Sequence, residues 1–273
     1  MLDVDRWPEL RDPVMIVSLT GWVDAGMAGA GASAYLADNL DSARRFGRID
    51  LSELADLQQT RPTVQLVDGT TRQISWPSVE LVAGRAGSDI VLCVGPEPSI
   101  RWRAFTDELV AVAQRLKVRM MIALGGMPAV VSHRRPVPVF ATATSPSLAQ
   151  EVGALRTDYS GPTGVQTVLQ VALGDAGVPS LGLWAQVPHY VSATPSPSAI
   201  RALLERLREV ASVQVELTTL DGQIDEYLQR VEQGLAERPD VAEVVRAIEA
   251  GSDELSSGEE LASEIERFLR DQG

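Results

Sequence analysis

The run Val14-Met-Ile-Val-Ser-Leu-Thr-Gly-Trp-Val-Asp-Ala-Gly-Met-Ala-Gly-Ala-Gly-Ala32 constrains the fold of this chain more than any other stretch. An apolar, β-rich segment breaks at Gly21, carries Trp22 and Asp24, and passes into an Ala/Gly-rich helical segment. A strand apolar on both faces must be covered on both faces, so this is the first strand–loop–helix unit of an α/β protein. Its loop lies where an open parallel sheet keeps its clefts, beyond the carboxyl ends of the strands.

The rhythm continues. Val14–Leu19, Ile90–Val94, Met120–Leu124, Val137–Ala143 and Leu181–Val187 read as buried strands. Helical patterns cover Ala25–Leu40, Trp102–Leu116, Pro146–Leu155 and Thr163–Leu173. Such alternation predicts a mostly parallel central sheet with helices on both faces. Arg61–Val82 breaks it, because Thr63–Trp76 forms two alternating runs around Asp68-Gly69, a strong hairpin signal. The spacing predicts a β-hairpin insertion at 61–82 that leaves the sheet and carries oligomer contacts.

Charge divides the chain again. The net charge is −13, of which residues 216–273 hold −11. Apolar positions there recur with helical period: Leu217, Leu220, Ile224, Leu228, Val231 and Leu235, then Val241, Val244, Val245 and Ile248, then Leu261, Ile265, Phe268 and Leu269. Ser257 and Glu260 form a capping box before the third stripe. The organisation expected is an α/β core over 1–215 and an acidic C-terminal helical subdomain over 216–273. The acidity reads as solvated helix faces or as a surface for a basic partner.

Several function classes find no support. No apolar run approaches the ~20 residues of a membrane helix, and Met1–Trp7 lacks a signal core. A lone Cys93 in a buried strand fits a reducing, cytoplasmic setting. His133 and His189 share no metal spacing, the nucleophile elbow is missing, and no basic-aromatic stripe suggests nucleic acid. No metal or cofactor is implied, and no membrane partner.

Four segments are expected at the strand ends. In Gly21–Gly26, Asp24 either caps the next helix or faces a ligand; Gly26, Gly29 and Gly31 fit close helix–strand packing better than a phosphate loop. In Gly95–Trp102 two prolines fix Glu97, with Arg101 nearby, for a polar ligand or for a structural ion pair. Gly125-Gly-Met-Pro-Ala129, followed by His133-Arg-Arg-Pro136, offers backbone N–H groups beside Arg134 and Arg135. The fourth combines Tyr159-Ser-Gly-Pro-Thr-Gly164 with Val187-Pro-His-Tyr190. There Ser160, Thr163 and the following helix could receive an anion, Tyr190 lines the site, and His189 is the candidate general base. A histidine merely hydrogen-bonded at a sheet edge would look the same.

Gly21–Gly26, Gly95–Pro98 with Arg101-Trp102, Tyr159–Gly164, Leu183–Val191 and Ser257–Leu269, in that order, resemble the proteasome assembly chaperone 2 family in its bacterial, actinobacterial-type branch. The resemblance covers nearly the whole chain. It implies a phosphorylase/hydrolase-like α/β fold similar to purine nucleoside phosphorylases, with an oligomerising hairpin, a helical C-terminal lid and homotrimeric assembly. Some relatives use a C-terminal hydrophobic-Tyr-x tail to dock on proteasome subunits, whereas this sequence ends Arg270-Asp-Gln-Gly273. The resemblance implies a non-catalytic assembly or binding factor with proteasome subunits as partners. The alternative is a nucleosidase- or hydrolase-like small-molecule enzyme with a cleft under the lid, built from Asp24, Glu97, Arg101, Ser160, Thr163 and His189.

Overall fold

The computed structural model describes residues 1–154 and 160–251. Its strands are β1 (Leu2–Val4), β2 (Val14–Thr20), β3 (Asp41–Asp50), β4 (Thr63–Val67), β5 (Thr70–Ser75), β6 (Ser78–Ala86), β7 (Ser88–Pro96), β8 (Met120–Ala129), β9 (Val139–Ala143) and β10 (Ser180–Pro188). The helices are α1 (Ala28–Asn39), α2 (Trp102–Leu116), α3 (Pro146–Glu151), α4 (Val165–Asp175), α5 (Pro197–Ala211), α6 (Thr219–Glu237) and α7 (Pro239–Gly251).

Eight strands form one sheet in the order β1-β3-β6-β7-β2-β8-β10-β9. The central four, β7, β2, β8 and β10, run parallel. Antiparallel strands extend both sides, β6, β3 and β1 on one and β9 on the other. Alternation along each central strand feeds two cores. Val14 and Ile16 on β2 pack with Ala32 and Leu36 of α1 and with Leu203 and Leu207 of α5. Met15 and Val17 face the other way, onto Phe105 and Leu109 of α2 and Leu169 of α4. Each fully buried large aliphatic side chain contributes roughly 1.5–3 kcal/mol, so the sandwich of helix, sheet and helix follows from strands apolar on both faces. Cys93 lies fully buried in β7, and burial pushes its thiol up to about 12.

Gly29 and Gly31 set the distance of α1 from its neighbours. A Cβ on Gly29 would lie 2.5 Å from the Leu124 carbonyl oxygen, and one on Gly31 would lie 2.3 Å from Ile200 Cδ1. These are packing glycines.

A hairpin spans Thr63–Ser75. β4 and β5 make a separate two-stranded sheet in which Val64 opposes Ile74. Asp68 and Gly69 both have positive φ, 51° and 70°, the mark of a type I′ turn. From Ser78 the chain is β6, which joins the main sheet between β3 and β7. Its alternating side chains serve the central core.

β1, β3 and α5 are elements that the periodicity reading omits. Helix α5 starts on Ser196, whose hydroxyl accepts from the Ala199 N–H, with Pro197 in the first turn. Helices α6 and α7 coincide with the first two apolar stripes of the acidic region, but Tyr227, not Leu228, is the buried residue at mid-α6. The stripe at 261–269 and its capping box lie outside the described residues. Among the described residues, no helix is long and apolar enough to cross a membrane.

Candidate functional site

Parallel pairing brings the carboxyl ends of four strands to one edge. Thr20 of β2 pairs with Pro96 of β7, and Ala129 of β8 pairs with Pro188 of β10. The loops carrying Asp24, Glu97, His133 and His189 therefore leave the sheet at the same end. They divide there into two groups.

The first group lies above β2 and β7. The Asp24 carboxylate accepts from the Gly29 and Ala30 N–H groups at 2.8 and 3.3 Å. It caps α1 in place of Met27, the residue at the helix boundary, which has a left-handed backbone and makes no side-chain cap. Burial raises the Asp24 pKa, and its two backbone hydrogen bonds work against that rise. Glu97 does the same for α4. Its Oε1 accepts from the Val165 N–H at 2.8 Å, and its Oε2 accepts from the Trp22 N–H at 3.4 Å. A carboxylate at a helix N-terminus meets both free N–H groups and the positive end of the dipole. The place expected for an anion beyond Thr163 thus already holds Glu97. Beneath it, the buried Gln166 accepts from the Leu19 N–H and donates to the Leu124 carbonyl, joining α4 to β2 and β8.

Arg101 does not join this group. It faces the surface and pairs with Glu53 at 3.4 Å. Ser160 is exposed, and Thr163 lies on the rim of a separate cavity of about 390 Å³ between α4 and β9. Asp24, Glu97, Arg101, Ser160, His189 and Tyr190 are not among the residues lining that cavity.

The second group lies above β8 and β10 and reaches the acidic helices. His189 is exposed, and its Nδ1 lies 3.3 Å from the Ala129 carbonyl oxygen. The buried histidine is His133. Its Nε2 lies 3.0 Å from Glu232 Oε1 and its Nδ1 lies 2.7 Å from the Tyr190 hydroxyl, which also accepts from the His133 N–H. Arg134 grips the same Glu232 carboxylate through Nε and a terminal nitrogen, at 2.6 and 2.9 Å, and reaches Glu249 of α7 at 2.8 Å. Ser132 donates to Glu249 at 3.0 Å. The Arg134 and His133 hydrogen bonds hold the Glu232 carboxyl down to about 2, while Glu232 keeps the Arg134 guanidinium more firmly charged. Ionised Glu232 is acceptor-only, so Nε2 is the donor in that pair. Burial raises the Tyr190 phenol. At neutral pH Tyr190 is therefore a hydrogen-bonded neutral hydroxyl, and the network acts as a clasp between the β8 loop and α6–α7. Among the described residues, no group of three or more His, Cys, Asp or Glu side chains could hold a metal ion.

His189, the candidate general base, is exposed, whereas His133 is buried. In the sequence the His133-Arg134-Arg135 run shows its positive charge, while its acidic partners Glu232 and Glu249 lie far along the chain.

The PAC2 family matches residues 18–235 of the chain. The chain belongs to the PAC2 family. It is 40% identical to the Mycobacterium tuberculosis proteasome-assembly chaperone homologue, with a TM-score of 0.78 over 85% of this chain and 99% of that one. A PAC2 family protein from Streptomyces avermitilis is 41% identical, with a TM-score of 0.78 over 86% and 100% of the two chains. A second Mycobacterium tuberculosis protein, of unknown function, is 29% identical with a TM-score of 0.86, covering 100% of this chain and 96% of its own. No curated protein matches the chain. The two PAC2 relatives named first come from actinobacteria, in keeping with the branch that the motifs suggest.

Proposed function

We propose that this PAC2 family chain is a non-catalytic assembly or binding factor whose partners are proteasome subunits. The likeness to the mycobacterial proteasome-assembly chaperone homologue, across almost the whole of that protein, carries the reading. The site geometry is consistent with it. Asp24 and Glu97 are each committed to helix N-termini, while His133 and Glu232 serve the clasp.

The working unit is a cytoplasmic homotrimer joined through the hairpin. Val64, Leu66, Ile74 and Trp76 each leave more than half of their surface exposed on this arm. A two-stranded sheet alone in water is marginal, so such an arm gains stability by packing on another surface. The core is of the purine nucleoside phosphorylase-like type, and residues 216–273 form a helical lid on it.

Co-expression with the α- and β-type subunits of the host proteasome, followed by native mass spectrometry, tests the role. A complex with free α-type subunits that is absent from the mature particle is the expected result. An intact homo-oligomer that captures no proteasome subunit overturns it.

A further inference from the structure

The cavity between α4 and β9 opens on the α2–α4 face of the sheet, opposite the face that carries α1 and α5. Its volume of about 390 Å³ is within the range of small-ligand sites. Three aromatic side chains wall it: Trp22 from the first strand–helix loop, Phe140 from β9 and Trp184 from β10. Trp184 and Phe140 keep only 5% and 8% of their surface exposed, so the walls belong to the packed core and the cavity is preformed.

The polar groups in the wall are largely paired with one another. Trp184 Nε1 donates to Thr142 Oγ1 at 3.1 Å, and the buried Gln170 donates to the same hydroxyl and to the Thr142 carbonyl, both at 3.4 Å. Such pairing stiffens the wall and leaves aromatic surface facing the space. Charge is one-sided. Among the described residues, Asp175, exposed at the last residue of α4, is the single charged residue in the lining, and no Arg, Lys or His borders the cavity. The negative end of the α4 dipole lies at the same place. Among the described residues an anion would find no counter-charge here, whereas a cation would meet aromatic rings and a carboxylate together.

We propose that this cavity binds a small organic amine, with its apolar body among Trp22, Phe140 and Trp184 and its ammonium beside Asp175. A protein partner fits less well. Among the described residues, Val171 is the one strongly exposed large apolar residue in the lining, in contrast to the apolar arm formed by β4 and β5. The site does not depend on a proteasome partner and involves no bond-making step.

Isothermal titration of the full chain with 4-phenylbutylamine, 4-phenylbutanol and 4-phenylbutyrate tests this directly. The amine should bind more tightly than the alcohol by about threefold, as expected for one solvent-screened ion pair, and the carboxylate most weakly. Asp175→Asn should bring the amine and the alcohol to equal affinity. Val171→Trp, which fills the mouth from an exposed helix position, should abolish binding of all three. Equal affinities in the parent protein, binding unchanged by Val171→Trp, or no binding at all would overturn the proposal. So would a Val171→Trp protein that sediments as a smaller oligomer, since the cavity would then be a contact between copies. Asp175→Asn, at an exposed helix end, keeps the test standing if Val171→Trp does not fold.

Discussion

Glu97 shows how a residue that looks functional can be spent on architecture. Fixed between two prolines at a strand end, it has the attributes of a ligand-binding carboxylate, yet both of its oxygens accept backbone N–H groups, from Val165 and Trp22. The adjacent glycines record the same commitment. A Cβ on Gly21 would lie 3.0 Å from Glu97 Oε2, and one on Gly164 would lie 3.3 Å from Oε1. Removing the side chain leaves two N–H groups without their acceptor and α4 without its cap. Glu97→Ala should lower stability by about 1–2 kcal/mol, read from urea unfolding. A variant as stable as the parent would show that water replaces the carboxylate at no cost.

At the scale of elements, the clasp between the β8 loop and α6–α7 depends on ionisation. Glu232 is held down to about 2 in the folded protein, below its ordinary 4.5. A depressed carboxyl contributes its full stabilisation above the unfolded-state value and loses it as pH falls toward the folded one. The hold on α6 should therefore weaken between pH 4.5 and 2. Because the Glu232 side chain is 45% exposed, solvent screening limits the effect to about 1 kcal/mol. Hydrogen exchange of α6 amides across this range should show the loss, and Glu232→Gln should flatten the pH dependence. This clasp was not legible in the sequence. His133 lies 57 residues from Tyr190 and 99 from Glu232, and no local pattern relates them. The Asp24 cap was one of the two uses that the sequence left open, since an Asp between a strand and a helix can cap the helix or face a ligand. The fully buried strands were legible, because their apolar runs are local. By contrast, β3 buries only Phe46, Gly47 and Ile49, and two register shifts interrupt its alternation, so it carries no clean period of two. Helix α5 carries both signals, a Ser196-Pro197 start and a stripe of Ala199, Leu203, Leu204, Leu207 and Ala211. Among the described residues no strand follows α5, so it falls outside the alternation of strands and helices.

The whole molecule presents two kinds of apolar surface. The paired strands β4 and β5 expose Val64, Leu66 and Ile74, while Trp22, Phe140 and Trp184 wall the α4–β9 cavity. If the arm joins protomers, Leu66→Asp with Ile74→Asp should release monomers in sedimentation velocity. Unfolding of the core should shift by no more than about 0.5 kcal/mol, since both residues are exposed. An unchanged sedimentation coefficient would move the contact elsewhere. The order of strands in the sheet bears on how such a molecule is made. β2 lies between β7 and β8, and both are encoded well after it. At about 5–20 residues per second, the ribosome takes roughly 5–20 s to go from Thr20 to Met120. Until β7 is made β2 has neither of its neighbours, and until β8 follows it keeps one edge unpaired. During synthesis the chain therefore exposes an apolar strand edge that the finished sheet closes on both sides.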